Sequence, residues 1–197
     1  EELAASGVEL IMRENRGLDT EMVLEHIEEL VSQGVQGLAI APNNSPEIRQ
    51  CIDELYEQGI PVITLNSDAP GSRRLAFIGM DNYRAGQTAA GLLRLTLPEG
   101  GKVLPLAGHL NNTAHNNRLN GFMDTINSET GNEIELLAFQ PCFDRDDYAH
   151  EITQHALRAN PDLTGIYVAS NGQVGACAAV EEEGRKGKVK VVAFDLN

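Results

Sequence analysis

A repeating strand–helix rhythm runs the length of this sequence, and it constrains the fold more than any other feature. Short apolar, β-branched runs recur at 8–12, 35–41, 61–65, 76–79, 102–106, 134–139, 165–169 and 189–194, each of strand length. Between them lie segments with helical spacing. The clearest is 19–33, where Met22, Val23, Ile27, Leu30 and Val31 make one apolar stripe that Gly34 ends. Asp19 and Thr20, followed by Glu21, put acceptors and negative charge where the first free amides of that helix point. A second helix is expected over 46–58, carrying Cys51. Strands joined by helices of this length imply parallel β-α-β units with right-handed crossovers. The nearly solid apolar run 37–41 fits a parallel strand covered on both faces.

The strongest interruption near the middle is Pro98-Glu99-Gly100-Gly101. It predicts two α/β lobes, 1–100 and 101–197, each a three-layer α/β/α arrangement. Residues 1–7 read as the last turns of a helix stopped by Gly7, and the chain ends directly after a strand. Both lobes are therefore expected to be incomplete, the first at its start and the second at its end.

Composition narrows the partners. The 15 basic and 29 acidic residues leave a net charge of −14 in 197 residues. Such a surface repels nucleic-acid phosphates and anionic membranes, so DNA binding would need a segment outside this chain. The three cysteines, Cys51, Cys142 and Cys177, include no Cys-x-x-Cys pair. That count argues against a disulfide framework and a zinc cage, and it points to a reducing, cytoplasmic compartment. Cys51 and Cys177 read as buried, inert thiols.

Open parallel sheets bind ligands beyond the carboxyl ends of their strands. Those ends carry Asn43, Asn66, Asp81, the segment 108–118 with Arg118, Asn171 and Asp195. Single Asn or Asp residues there cap helices and start turns. Six strand ends with amides or carboxylates, together with a guanidinium, can serve both the donor and the acceptor side of hydroxyl groups. That is the chemistry of a sugar or polyol site. A phosphorylated sugar is the alternative for 111–118, where helix amides, His115 and Arg118 suit an anion; Asp81 and Asp195 oppose it. The sequence has no dinucleotide fingerprint, no phosphate loop and no nucleophile elbow, and His109 and His115 are spaced for neither a helical metal pair nor a zinc finger. No cofactor, no metal and no enzyme activity are expected.

Five strings in order then resemble one family. They are Gly59-Ile60-Pro61-Val62-Ile63-Thr64-Leu65-Asn66, the helix start Asp81-Asn82-Tyr83-Arg84-Ala85-Gly86, Asn117-Arg118-Leu119-Asn120-Gly121-Phe122, Ser170-Asn171-Gly172 with the helix after it, and Val192-Ala193-Phe194-Asp195. Together they resemble the type I periplasmic sugar-binding protein superfamily, which includes the effector domains of LacI/GalR-family transcriptional regulators. The resemblance implies a ligand cleft between two lobes. It implies that Arg118 donates a bidentate pair to ring oxygens, that Asp195 accepts from hydroxyls, and that Asn171 does both. Asn66 stands where many members carry Asp. Phe143 matches an aromatic that packs on an apolar sugar face, with core packing as the alternative. Gly172 stands where Asp is frequent. The family's first strand would lie before Glu1 and its closing segments beyond Asn197.

The expectation that follows is the effector domain of a LacI-type regulator, a cytoplasmic homodimer that binds a sugar and operates on DNA through a headpiece outside this chain, without membrane contact. The alternative is a periplasmic or extracellular sugar-binding protein of an ABC transporter. An α/β enzyme would need a nucleophile–base pair at the strand ends, and none is present in the sequence.

Overall fold

The structure is a computed structural model that describes residues 7–14, 19–128 and 133–195. The helical turns expected over 1–7 lie outside the described residues, except for Gly7. The chain divides into two compact units, Glu1–Gly79 and Met80–Asn197.

In the first unit, β1 (Leu38–Ile40), β2 (Val62–Leu65) and β3 (Ala76–Ile78) form a parallel sheet in that order. Helix α1 (Thr20–Ser32) is capped by Asp19, which accepts from Met22 N–H. Helix α2 (Pro46–Glu57) is capped by Ser45, which accepts from Ile48 N–H, with Pro46 in the first turn. Val23 and Ile27 of α1, Ile48, Ile52 and Leu55 of α2, and Leu38 and Val62 of the sheet form its core. The run 37–41 is less covered than its composition implies. Leu38 is buried, but Ala39 and Ala41 are exposed. The run 8–12 is not a strand: Val8, Leu10 and Met12 stand 50, 63 and 69 % exposed, and no neighbouring ladder among the described residues takes up their backbone groups. Alternation alone does not make a strand without a partner.

The second unit is three layers. Its sheet has the order β5 (Ile134–Leu136), β4 (Gly101–Ala107), β7 (Leu163–Val168), β8 (Lys190–Ala193), and β6 (Gln140–Pro141) joins the same edge of β4 as β5. Helices α3 (Asn82–Thr96) and α4 (Thr113–Ser128) cover one face through Leu93, Leu119, Phe122 and Ile126 packed on Val103 and Tyr167. Helices α5 (Asp146–Ala159) and α6 (Gln173–Glu182) cover the other through Ala149, Leu157, Ala176 and Val180 on Leu104, Ile166 and Val168.

Pro105 explains why the strand expected over 134–139 is broken. Val103 and Ala107 accept from Leu137 N–H and Cys142 N–H on that edge, so residue 105 faces the same edge. Proline offers no N–H there, and the neighbouring strand stops at Leu136 and resumes at Gln140.

The division between units falls after Gly79 rather than at the Pro98–Gly101 cluster. Helix α3 packs on α4 and on Val103 and Tyr167, so it belongs with the second unit. Two thiols also differ from expectation. Cys51 is half-buried and Cys177 exposed, because α6 turns Ala176, Ala179 and Val180 inward and leaves residue 177 outside; Cys142 is the buried one.

Candidate functional site

The carboxyl ends of β4, β6, β7 and β8 gather most of the expected site residues in the second unit. Arg118 lies in the second turn of α4 rather than in a loop, and its side chain is buried, 4 % exposed. Three groups hold its guanidinium. Nε donates to Asn82 Oδ1 at 2.8 Å, Nη1 donates to the Ala169 carbonyl at 3.2 Å, and the plane lies over the Phe194 ring, 3.3 Å from its centroid. Burial pulls the Arg118 pKa down, and Asp195, Tyr167 and Asp144 pull it back up. Nη2 has no hydrogen-bond partner among the described residues. Asp195, half-buried beyond β8, has no hydrogen-bond partner there either. A cation on α4 and an anion beyond β8, both with unused hydrogen-bonding capacity, thus stand on the carboxyl-end side of the same sheet.

Two glycines bring Asn82 to Arg118. A Cβ at Gly86 would stand 2.0 Å from the Arg118 carbonyl oxygen, and one at Gly121 would stand 2.0 Å from the Tyr83 carbonyl oxygen. The helices α3 and α4 therefore cross backbone to backbone. Asn82 lies about one turn before Gly86 and Arg118 about one turn before Gly121, so the two side chains meet beside the crossing.

Phe143 and Asp144 follow β6 and both adopt the left-handed region, at φ 55° and 59°. A bulky aromatic in that region is a strained placement. Phe143 is 44 % exposed, with edge contacts to His109 at 5.6 Å and Tyr148 at 6.0 Å between centroids. It is therefore not core packing, and part of the ring is open to solvent. Asp144 ties three strand ends together. Its Oδ1 accepts from Asn171 N–H at 3.2 Å, its Oδ2 lies 3.9 Å from His115 Nδ1, and a Cβ on Gly108 would meet Asp144 Oδ1 at 2.3 Å. Asn171 is exposed at the end of β7 with its backbone fixed by that carboxylate.

His115 Nδ1 accepts from His109 N–H at 3.2 Å, which requires the neutral ring. Burial lowers its pKa; Asp144 opposes that, Arg118 and His109 add to it, and Asp195 opposes it. The first amides of α4 are taken as well, since Asn112 Oδ1 accepts from Ala114 N–H at 2.8 Å. His115 and the first amides of α4, two of the three features of 111–118 that suited a phosphate, are thus engaged within the unit.

The remaining candidates are placed differently. Asp81 is the N-cap of α3, accepting from Arg84 N–H at 3.0 Å with Arg84 Nε 3.3 Å away; it is exposed. In the first unit, Asn43 is completely buried; its amide donates to Thr20 Oγ1 at 2.7 Å and accepts from Ser45 N–H at 3.1 Å. Asn43 thus joins the β1–α2 turn to the start of α1 and is not presented to a ligand. Asn66, at the end of β2, is exposed at φ 59°. Asn82, Phe194 and Asp144 surround the second unit's candidate site and were not singled out from the sequence as ligand-site residues; His115 was considered only for an anion. Asn82 and Phe194 stood inside the quoted strings, which was their only signal.

The sequence matches the periplasmic binding protein domain family over residues 1–197. The chain belongs to that family. Among relatives of this periplasmic binding protein domain, the ribose import binding protein RbsB of Escherichia coli is 29 % identical over 174 residues, covering 87 % of this chain and 57 % of that protein. The D-allose-binding periplasmic protein of Escherichia coli is 29 % identical over 187 residues, covering 90 % of this chain and 59 % of that protein. The chain thus spans somewhat more than half the length of these relatives. The crystal structure of GanP, a glucose-galactose binding protein from Geobacillus stearothermophilus, superposes with a TM-score of 0.90 at 27 % identity, covering 98 % of this chain and 69 % of that one.

These relatives overturn the reading as a LacI-type regulator. They are import and periplasmic sugar-binding proteins, and nothing in them supports operator DNA or a homodimer as partner. The five strings resemble the superfamily as a whole, which holds both kinds of protein, so they do not separate the two. The cytoplasmic expectation rested on the cysteine count and on the regulator reading, and the D-allose-binding relative named periplasmic points toward the alternative compartment instead. No helix among the described residues is long and apolar enough to cross a membrane.

Proposed function

We propose that this chain is the main part of an extracytoplasmic sugar-binding protein that delivers a monosaccharide to the permease of an ABC-type importer. The observation that carries the reading is Arg118, a buried guanidinium clamped on its inner side by Asn82 and Ala169 and stacked on Phe194, with Nη2 unengaged. A cation fixed this way offers directed, charge-assisted bonds to ring and hydroxyl oxygens without reorganising on binding. Asp195 supplies the acceptor, Asn171 both functions, and Phe143 an apolar face for the C–H side of the ring. The ligand class follows from relatives named for ribose, allose and glucose-galactose binding.

The test is calorimetric titration of the full-length protein with D-ribose, D-allose, D-xylose and D-galactose. At least one is expected to bind, and Arg118→Met is expected to weaken it by about 2–5 kcal/mol, thirtyfold or more, because it leaves buried partners unmatched. Affinity unchanged in Arg118→Met, or no binding to any of the four, overturns the reading.

A further inference from the structure

We propose that Asn82 is a positioning residue whose role is to set the in-plane rotation of the Arg118 guanidinium, and that α3 exists in the second unit's site to deliver it. This inference rests on the sugar-binding reading for its purpose, though not for its geometry. The three restraints on Arg118 are not equivalent. Stacking on Phe194 fixes the plane of the guanidinium but leaves it free to turn within that plane. The Ala169 carbonyl is a backbone acceptor that takes one Nη1 hydrogen at 3.2 Å. Only Asn82 Oδ1, at 2.8 Å, engages Nε. With Nε and Nη1 both engaged, rotation in the plane is fixed and Nη2 is the amino group left for a ligand.

The choice of an amide is itself informative. An uncharged acceptor orients Nε while leaving the positive charge uncompensated at that contact. A carboxylate at position 82 would orient it equally well and neutralise it. Asn82 is 4 % exposed and Arg118 4 %, so neither reaches for water instead. The backbone contact at Gly86 and Gly121 fixes the distance between them. The two glycine-bearing strings thus form one device, built around residues 82 and 118, which lie 36 positions apart in sequence.

The experiment uses the full-length protein with two readouts. The first is the ¹⁵N Nε–Hε cross-peak of Arg118 without sugar, assigned by its loss in Arg118→Lys. It is expected to be shifted and slow to exchange in the wild type, retained in Asn82→Asp, and lost in Asn82→Ser, whose shorter side chain does not reach. The second is affinity for the four sugars above in a double-mutant cycle with Arg118→Met. Asn82→Ser is expected to weaken binding at least tenfold when Arg118 is intact and to change nothing in the Arg118→Met background, a coupling that a merely structural role would not produce. Asn82→Leu removes the acceptor at constant volume and should reproduce the loss. A cross-peak that persists in Asn82→Ser, or an equal loss in both backgrounds, overturns the proposal. If the cross-peak behaves as expected while none of the sugars binds the wild type, Asn82 still positions Arg118 and it is the sugar reading that fails.

Discussion

Replacing Gly86 with alanine is the sharpest single test of how this site is assembled. The added methyl would stand 2.0 Å from the Arg118 carbonyl oxygen, 2.8 Å from Phe122 N and 2.9 Å from the Arg118 carbonyl carbon, where ordinary contact begins at 3.4 Å. All three are backbone atoms of α4, so no rotamer change relieves the clash. The helices must part by more than an ångström. Overpacking costs about 1–3 kcal/mol, and a contact that only backbone movement can relieve belongs at or above the upper end. Parting also loosens Ala90, Leu93, Leu119 and Phe122 in the same core, where a gap of half to one ångström already forfeits a quarter to a half of each contact. Alanine returns about 1 kcal/mol of helix propensity. The net expectation is a loss of about 2 kcal/mol, or a fall of roughly 4–8 °C in Tm for a chain of this size. The 2.8 Å Asn82–Arg118 bond does not survive such a displacement, so sugar affinity should fall at least tenfold. Gly91, on the same helix, has nothing within 4 Å of its Cβ position. Gly91→Ala should therefore stabilise by about 0.5–1 kcal/mol. Thermal melts by circular dichroism and calorimetric titration read both. A Gly86→Ala protein as stable as the wild type, or both substitutions moving Tm the same way, refutes the reasoning.

Two further outcomes follow, one from each unit. Asn43→Ala should destabilise the first unit by about 1–3 kcal/mol in urea titration, since Thr20 Oγ1 and Ser45 N–H lose a buried partner; an unchanged midpoint would mean Asn43 is not a structural tie. His115 is held neutral by burial, so its folded pKa lies below the ordinary 6.5. Above that value neither state binds the proton. As pH falls through it the unfolded chain protonates first, and stability is lost until the folded pKa is passed. His115→Asn keeps an acceptor for His109 N–H without titrating, so its Tm should fall less than the wild type's from about pH 7 to about pH 5. Parallel curves would remove His115 from the acid response.

The architecture is legible in the sequence because its signals are local. The 19–33 stripe becomes α1, the Asp19 and Ser45 caps act as their residue types suggest, and the parallel sheets follow from the strand–helix alternation. What sequence reasoning misplaced depends on contacts between segments. Residues 8–12 alternate like a strand, but a strand needs a ladder. The Pro98–Gly101 cluster looks like a boundary, yet it is only a turn. Gly100 and Gly101 take φ 76° and 137°, with no room for side chains against Glu133 and Thr164, while α3 stays packed on α4. A composition break marks where the chain bends, and packing decides what it belongs to.

The site is legible by residue type and illegible in its wiring. Arg118, Asn171, Phe143 and Asp195 stand at strand ends of one unit, as the rule for parallel sheets requires. Asn43 passes the same rule and serves another purpose, because a strand-end amide caps a helix as readily as it binds a hydroxyl, and only its burial separates the two. The regulator reading rested on the unpaired cysteines, and the strand-end groups had nothing to set against it. A sugar offers hydroxyls and an apolar face whether it is captured for import or sensed, so strand-end groups of these types do not choose between the two. The part a linear reading omits is the support: Asn82 across a glycine crossing, Phe194 beneath the guanidinium, and Asp144 joining three strand ends. A buried arginine without those partners would lose roughly 2 kcal/mol of rotamer freedom on every binding event. With them it is ordered beforehand, and under the proposed function that order, rather than the presence of arginine, would direct its bonds to a sugar.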